Sequence, residues 1–149
     1  MYKRQDTASY SNSNAAVTVS LATGQALGGH AEGDVLVSIE NLFGSSFADV
    51  LSGDSNDNVI NGFLGNDTLS GGDGGSNTLL GGTGNDTFLG GDGNDFFNGG
   101  TGNADTIDYS ASSEGVTAQL GGAQTFAGGD AAGDSSFGIE DLILSLIHI

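Results

Sequence analysis

GGTGNDTFLGGDGNDFFNGGTGNADTIDYS, running from Gly81 to Ser110, says nearly the same thing three times. Paired glycines, a third glycine and then an aspartate return on a nine-residue beat, with apolar residues between beats. A catalytic loop has no reason to repeat itself, so the period is structural. Glycine admits backbone angles with φ > 0, and the asparagine at position five (Asn66, Asn85, Asn94, Asn103) tolerates them too. Six residues then make a tight turn, and the next three, one apolar and pointing inward, make a very short strand. One strand plus one turn reverses the chain, two units complete a coil, and coils stack as parallel strands about 4.8 Å apart. The expected fold is all-β: a parallel β-roll, or β-solenoid, of G-G-x-G-x-D-x-U-x units flanked by short-strand modules.

The beat extends backwards through position six of each unit: Asp49, Asp57, Asp67, Asn77, Asp86, Asp95 and Asp105. Two residues after each comes the apolar one: Leu51, Val59, Leu69, Leu79, Phe88, Phe97 and Ile107. Only the units at Gly81 and Gly90 hold G-G-x-G-N-D without change. Phe63 replaces the second glycine in GFLGND, Asn77 replaces the aspartate in GGDGGSN, and GGTGNAD gains one residue before Asp105.

Composition says where such a chain finds its stability. The 149 residues include 28 Gly and no Pro, Cys or Trp, and 19 carboxylates face two basic residues for a formal charge of −17. That imbalance repels itself, and so much glycine raises the entropy cost of ordering the backbone. A hydrophobic fraction of 36% is nevertheless too high for a fully disordered tail. The absence of Cys removes disulfides, thiolate zinc sites and a cysteine nucleophile. No apolar run reaches the roughly 18 residues of a membrane span, and no basic patch exists to neutralise the phosphates of a nucleic acid. There is no H-E-x-x-H, no P-loop and no G-x-S-x-G, so the sequence names no catalytic residue and is not that of an enzyme.

Metal cations are the natural partner. Coil stacking places Asp67 on Asp86, Asn77 on Asp95, and Asp86 on Asp105, and like charges about 5 Å apart repel by roughly 3 kcal/mol at an effective dielectric near 20. A hard divalent cation between turns converts each repulsion into ligation. Calcium accepts six to eight oxygens in flexible geometry, backbone carbonyls included, whereas magnesium demands a tighter octahedron. Zinc lacks its Cys and ordered His ligands here. A flexible linker and a metal-free solenoid, its Asn and Asp merely satisfying turns, stand beside this reading. The phased apolar residue speaks against the first; the second carries most weight at Asn77.

The unit resembles the RTX, or haemolysin-type, calcium-binding nonapeptide repeat, directly from Gly44 to Asp108 and most closely from Gly81 to Asp95. The resemblance implies a parallel β-roll with Ca2+ held between turns. It carries the role of ligand onto Asp67, Asp86, Asp95 and Asp105, onto the carbonyls of Gly82, Gly84, Gly91, Gly93, Gly100 and Gly102, and more weakly onto the uncharged Asn77. It also implies an extracellular bacterial protein exported by type I secretion. The parent is then an adhesin-like structural protein with a cell-surface or matrix partner, or a toxin or enzyme with a calcium-folding tail.

A longer echo frames the repeats. DTASYSNSNAAVTVSL (Asp6–Leu21) matches DTIDYSASSEGVTAQL (Asp105–Leu120), and GDVLVSIENL (Gly33–Leu42) matches GDSSFGIEDL (Gly133–Leu142). Each flank holds an alternating stretch fit for a half-buried strand, then a Gly/Ala/Asp loop and a second short strand around Ile39 or Ile139. Tyr10 and Tyr109, at matching places, are expected to pack at the edge of the roll, and His30 to be solvated. The expected division is a flank over residues 6–43, the roll over 44–108 and a second flank over 109–143. MYKRQ (1–5) and LSLIHI (144–149) resemble translations of the two strands of a transposon-end adapter used in sequencing libraries, and are set apart from the fold.

Overall fold

The computed structural model describes residues 5–121 and 124–145. Of the adapter-like strings, residues 1–4 and 146–149 lie outside the described residues; Gln5, Leu144 and Ser145 lie within them, and the buried Ser145 hydroxyl donates to the Glu114 carbonyl at 3.1 Å. In chain order the strands are β1 (Thr7–Ser9), β2 (Thr18–Ser20), β3 (Gln25–Leu27), β4 (Asn41–Phe43), β5 (Val50–Ser52), β6 (Val59–Leu64), β7 (Thr68–Ser70), β8 (Thr78–Thr83), β9 (Thr87–Leu89), β10 (Phe96–Thr101), β11 (Thr106–Asp108), β12 (Thr117–Gln119), β13 (Thr125–Ala127), β14 (Ser135–Phe137) and β15 (Asp141–Ile143). Successive strands of the repeat block alternate between two sheets. The first runs β1-β4-β6-β8-β10-β14, parallel throughout; the second runs β15-β11-β9-β7-β5-β2-β3, parallel except for the β2–β3 hairpin. The chain is an all-β roll of two stacked parallel sheets, as the nonapeptide period predicts.

Each strand delivers one side chain to the interior. Leu42, Ile60, Leu79 and Phe97 lie in register along the first sheet, and Val19, Leu51, Leu69, Phe88 and Ile107 along the second, all essentially inaccessible to water. The interior is one residue wide per strand. The aromatic rings gather towards the C-terminal end, where Phe88 meets Phe97 edge-on at 5.7 Å and Phe97 meets Tyr109 at 6.5 Å.

Four expectations need correction. The second position six is Asn58, not Asp57: Asn58 is buried and Asp57 is exposed. The inward residue of that unit is accordingly Ile60, and Val59 faces outward. The true phasing from Asp49 onward is therefore nine, nine, ten, nine, nine and ten residues, smoother than the acidic residues alone indicate. Third, none of the position-five asparagines has a positive φ; among the described residues the non-glycine ones that do are Ser38 and Phe63, at 55° and 74°. Asn66 and Asn85 instead accept the backbone N–H of Asn85 and Asn103, at 2.9 and 3.2 Å, tying each turn to the next coil. Phe63 holds the left-handed conformation of the second glycine it replaces, with its ring edge-on to Phe43 at 5.6 Å.

Fourth, the second strands of the flanks start just past Ile39 and Ile139, at Asn41 and Asp141. Each flank also forms an antiparallel hairpin, β2–β3 and β12–β13, and a single 3-10 turn, Gly29–Ala31 and Gly129–Ala131. Tyr10 and Tyr109 are both buried, their hydroxyls donating to Asp34 and Asp134; His30 is exposed.

Candidate metal centre

The position-six residues form two columns, one along each edge where the chain turns between sheets. On the edge leading into the second sheet, the backbone N–H of Val17 donates to Asp49 Oδ1 (2.8 Å), that of Asp49 to Asp67 Oδ1 (2.8 Å), and that of Asp67 to Asp86 Oδ1 (2.9 Å). The N–H of Asp86 donates to Asp105 Oδ1 (2.8 Å) and that of Asp105 to Glu140 Oε2 (2.9 Å). One carboxylate oxygen per coil is thus spent on the coil before it. This is the pairing of Asp67 with Asp86 and Asp86 with Asp105 expected from alternate stacking.

The second oxygen of these aspartates is different. Asp67, Asp86 and Asp105 are no more than 1% exposed, and the Oδ2 of each is buried without a hydrogen-bond partner. An unpartnered buried carboxylate oxygen is costly, and the chain offers no lysine or arginine nearer than residue 4. Asp49, by contrast, is fully satisfied: Ser45 donates to it from both its backbone N–H and its hydroxyl. Serine takes the place of the second glycine there, and the column ends in hydrogen bonds.

Electrostatics agree with the geometry. Burial, with the neighbouring charges of Asp86 and Asp49 adding to it, pushes the Asp67 carboxyl up to about 7, although the N–H of Asp49 pulls the other way. Burial and the charge of Asp105 push Asp86 up to about 6. Asp105 is raised by burial and by Glu140. Each group resists carrying its charge where it sits.

The opposite edge is built otherwise. Asn58 donates its backbone N–H to Asn77 Oδ1 (2.9 Å), Asn77 to Asp95 Oδ1 (2.9 Å), and Asp95 to Asp134 Oδ1 (2.8 Å). In the middle of this edge the side-chain amides serve themselves. Asn58 Nδ2 donates to the Glu40 carbonyl (2.8 Å), and Asn77 Nδ2 to the Gly74 carbonyl (3.2 Å) and to Asp95 Oδ1 (3.0 Å). Only Asp95 keeps an unpartnered buried Oδ2 here, with its carboxyl raised by burial.

The glycines of the turns are packed one coil on the next. A Cβ on Gly82, Gly84, Gly91, Gly93, Gly100 or Gly102 would be driven into the carbonyl oxygen of Phe63, Gly65, Gly72, Gly75, Gly82 or Gly84 respectively. Main-chain carbonyls therefore line each edge at every coil. Among the described residues no three His, Cys, Asp or Glu side chains converge on one point, so a cation held here would need carbonyls as well as carboxylates. Oxygen-only donors of this kind suit a hard, flexible cation, and the orphaned Oδ2 atoms fit calcium.

Comparison with known families agrees. The family model of the RTX calcium-binding nonapeptide repeat, four copies long, matches residues 43–75 and 72–105. The chain carries haemolysin-type RTX repeats. Such repeats bind calcium ions, which stabilise the fold, and proteins that contain them are typically exported by type I secretion. No curated protein matches the chain. No helix among the described residues is long and apolar enough to cross a membrane.

Sequence reasoning placed Asp49 on the beat without marking it as a satisfied terminus, and missed three members of the RTX edges: Asn58, Asp134 and Glu140. Asp134 and Glu140 lie outside the nonapeptide beat, yet both sit in the segment that echoes Gly33–Leu42, and following that echo onto the roll would have found them.

Proposed function

We propose that this chain is a calcium-folded structural module. Its ions are held between coils by Asp67, Asp86 and Asp105 along one edge and by Asp95 on the other. The carbonyls of Gly82, Gly84, Gly91, Gly93, Gly100 and Gly102 complete the shells, and Asn77 is a weaker ligand beside Asp95. The observation that carries this reading is the single unpartnered oxygen on each of those four buried aspartates, in columns whose other buried side-chain oxygens have hydrogen-bond partners. Calcium supplies there the positive charge the chain lacks.

Metal binding and folding are then one equilibrium, because the site does not exist in the unfolded chain. The test is circular dichroism in chelator followed by a calcium titration. The β signal rises cooperatively with calcium and far less with magnesium at equal concentration. Asp86→Ala shifts the midpoint more than Asp57→Ala, since Asp86 belongs to two carboxylate pairs and Asp57 is an exposed turn residue. Full β structure in chelator at neutral pH, or equal effects of the two substitutions, would overturn the proposal.

Extracellular modules bind calcium in the range of roughly 10⁻⁴ to 10⁻³ M, far above cytosolic levels. The chain is therefore unfolded inside the cell and folds outside, which supports an exported, extracellular role. Residues 6–43 and 109–143 are the flanks of the roll at 44–108, and a flank that recurs supports a long, repetitive, adhesin-like parent. The adjoining reading frame tests this: further flanks support it, whereas a zinc-protease motif or an acylated-toxin region contradicts it.

A further inference from the structure

The two flanks are copies in detail as well as in sequence. Asp6 donates its N–H to Glu40 Oε2 at 2.9 Å, as Asp105 does to Glu140 Oε2 at 2.9 Å. Tyr10 donates to Asp34 as Tyr109 does to Asp134, and the N–H of Tyr10 bonds the Phe43 carbonyl as that of Tyr109 bonds the Ile143 carbonyl, both at 2.8 Å. β1 pairs with β4 in the register in which β11 pairs with β15. Ser38 and Gly138 share a positive φ, 55° and 64°.

What differs is what lies ahead of each copy. In the second, β11 pairs with β9, β14 pairs with β10, Asp105 accepts the N–H of Asp86, and Asp134 accepts that of Asp95. In the first, β1 is an edge strand, and residues 35–37, the counterpart of β14, form no strand and pair with nothing among the described residues. Asp6 and Asp34, the counterparts of Asp105 and Asp134, are exposed. Val37 and Phe137 are 73% and 66% exposed, so the side chain at this place points to solvent in both copies and the difference lies in the backbone. The reciprocal holds on the other face. Val17 and Val19 are sealed because β2 pairs with β5, whereas Val116, just before β12, and Ala118 on it stay half-buried, β12 pairing only with β13 among the described residues.

We infer that the face made by Asp6, β1, Asp34 and residues 35–37 is a docking surface for a nonapeptide coil joined directly ahead of Asp6 in the same chain. The second flank supplies the template. Its coil enters through the residue preceding Asp105, and two strands and two position-six N–H groups of that coil find their partners in the flank. Asp6 and Asp34 offer the same acceptors in the corresponding places, beside the open edge of β1 and the unpaired stretch 35–37. The flank is then a joint through which the roll passes, and an open parallel edge is the feature that accepts the next strand.

The test inserts a second copy of residues 62–104 between Gln5 and Asp6, so that the block enters the first flank as it enters the second. Backbone amide exchange in saturating calcium is compared with that of the unmodified chain. The expected result is that residues 35–37 exchange at least about 100-fold more slowly in the extended chain, approaching residues 135–137 of the same molecule. The inference is overturned if residues 35–37 stay fast while the inserted block is itself protected. It is equally overturned if the inserted block stays unprotected while the original 62–104 is protected, since the face then fails to hold the coil its twin holds. Protection of residues 35–37 in the unmodified chain that grows with protein concentration would assign the face to a second copy instead.

Discussion

At Gly84 the backbone has φ 131°, and the carbonyl oxygen of Gly65 on the coil below occupies the space a Cβ would take. Gly33 has a similar sign of φ, 85°, but nothing lies within 4 Å of its missing Cβ. The two glycines separate backbone strain from coil contact. Gly33→Ala introduces only the strain of a left-handed residue, about 1–2 kcal/mol. Gly84→Ala adds a collision with a main chain that cannot yield without parting two coils. Thermal unfolding in saturating calcium should therefore show a modest loss for Gly33→Ala. For Gly84→Ala the calcium midpoint should rise by more than tenfold, or folding should fail. Comparable behaviour of the two would mean that the coils are not in the contact described.

The two edges of the roll are not equivalent. One stacks carboxylates at every coil from Asp49 to Glu140; the other places Asn58 and Asn77 at its centre, where their amides close the hydrogen bonds internally. On the proposed reading a cation is needed most where carboxylates stack and less where an amide already donates. Asn77→Asp removes the donors to the Gly74 carbonyl and Asp95 and sets a second charge beside Asp95. The folded fraction in chelator should fall, while calorimetry should show the ion beside Asp95 bound about tenfold or more tightly, a charged ligand replacing the neutral amide. An unchanged calcium affinity would argue that this edge does not take an ion. Much of this element was legible in the sequence: the nine-residue beat gives the roll, the inward file and the stacking partners of Asp67, Asp86 and Asp105. The slip from Asn58 to Asp57 has a physical origin, because an aspartate one residue early looks more like a ligand than the amide that occupies the column. The left-handed Phe63 and the acceptor role of Asn66 and Asn85 were not legible, since sequence records which residues tolerate a conformation and not which one the coil below imposes.

Over the whole molecule, a charge of −17 and a column of buried carboxylates work against the calcium-free roll, and protons are the other species that relieves both. Asp67 is raised to about 7, and Asp86 and Asp134 to about 6, in each case chiefly by burial, with Asp134 also feeling Asp95 and Asp130. A carboxyl whose pKa is higher folded than unfolded binds its proton more tightly in the native state. Its contribution to stability is fully present below the unfolded value near 4, and is lost as pH rises through 6 to 7. In chelator, therefore, the roll should be most stable near pH 4 to 5 and lose its β signal as the solution is neutralised, the reverse of ordinary acid denaturation. Calcium and protons compete for the same oxygens, so added calcium should raise the melting temperature strongly at pH 7.5 and barely at pH 4.5. Asp86→Asn keeps the acceptor for the Asp67 N–H while removing one ionisable group, and should flatten the chelator pH profile. A calcium-free chain that melts progressively as pH falls from 7 to 4.5 would show that these carboxylates are stabilised as anions by something other than a bound cation, and would remove the electrostatic reason for calcium to drive folding.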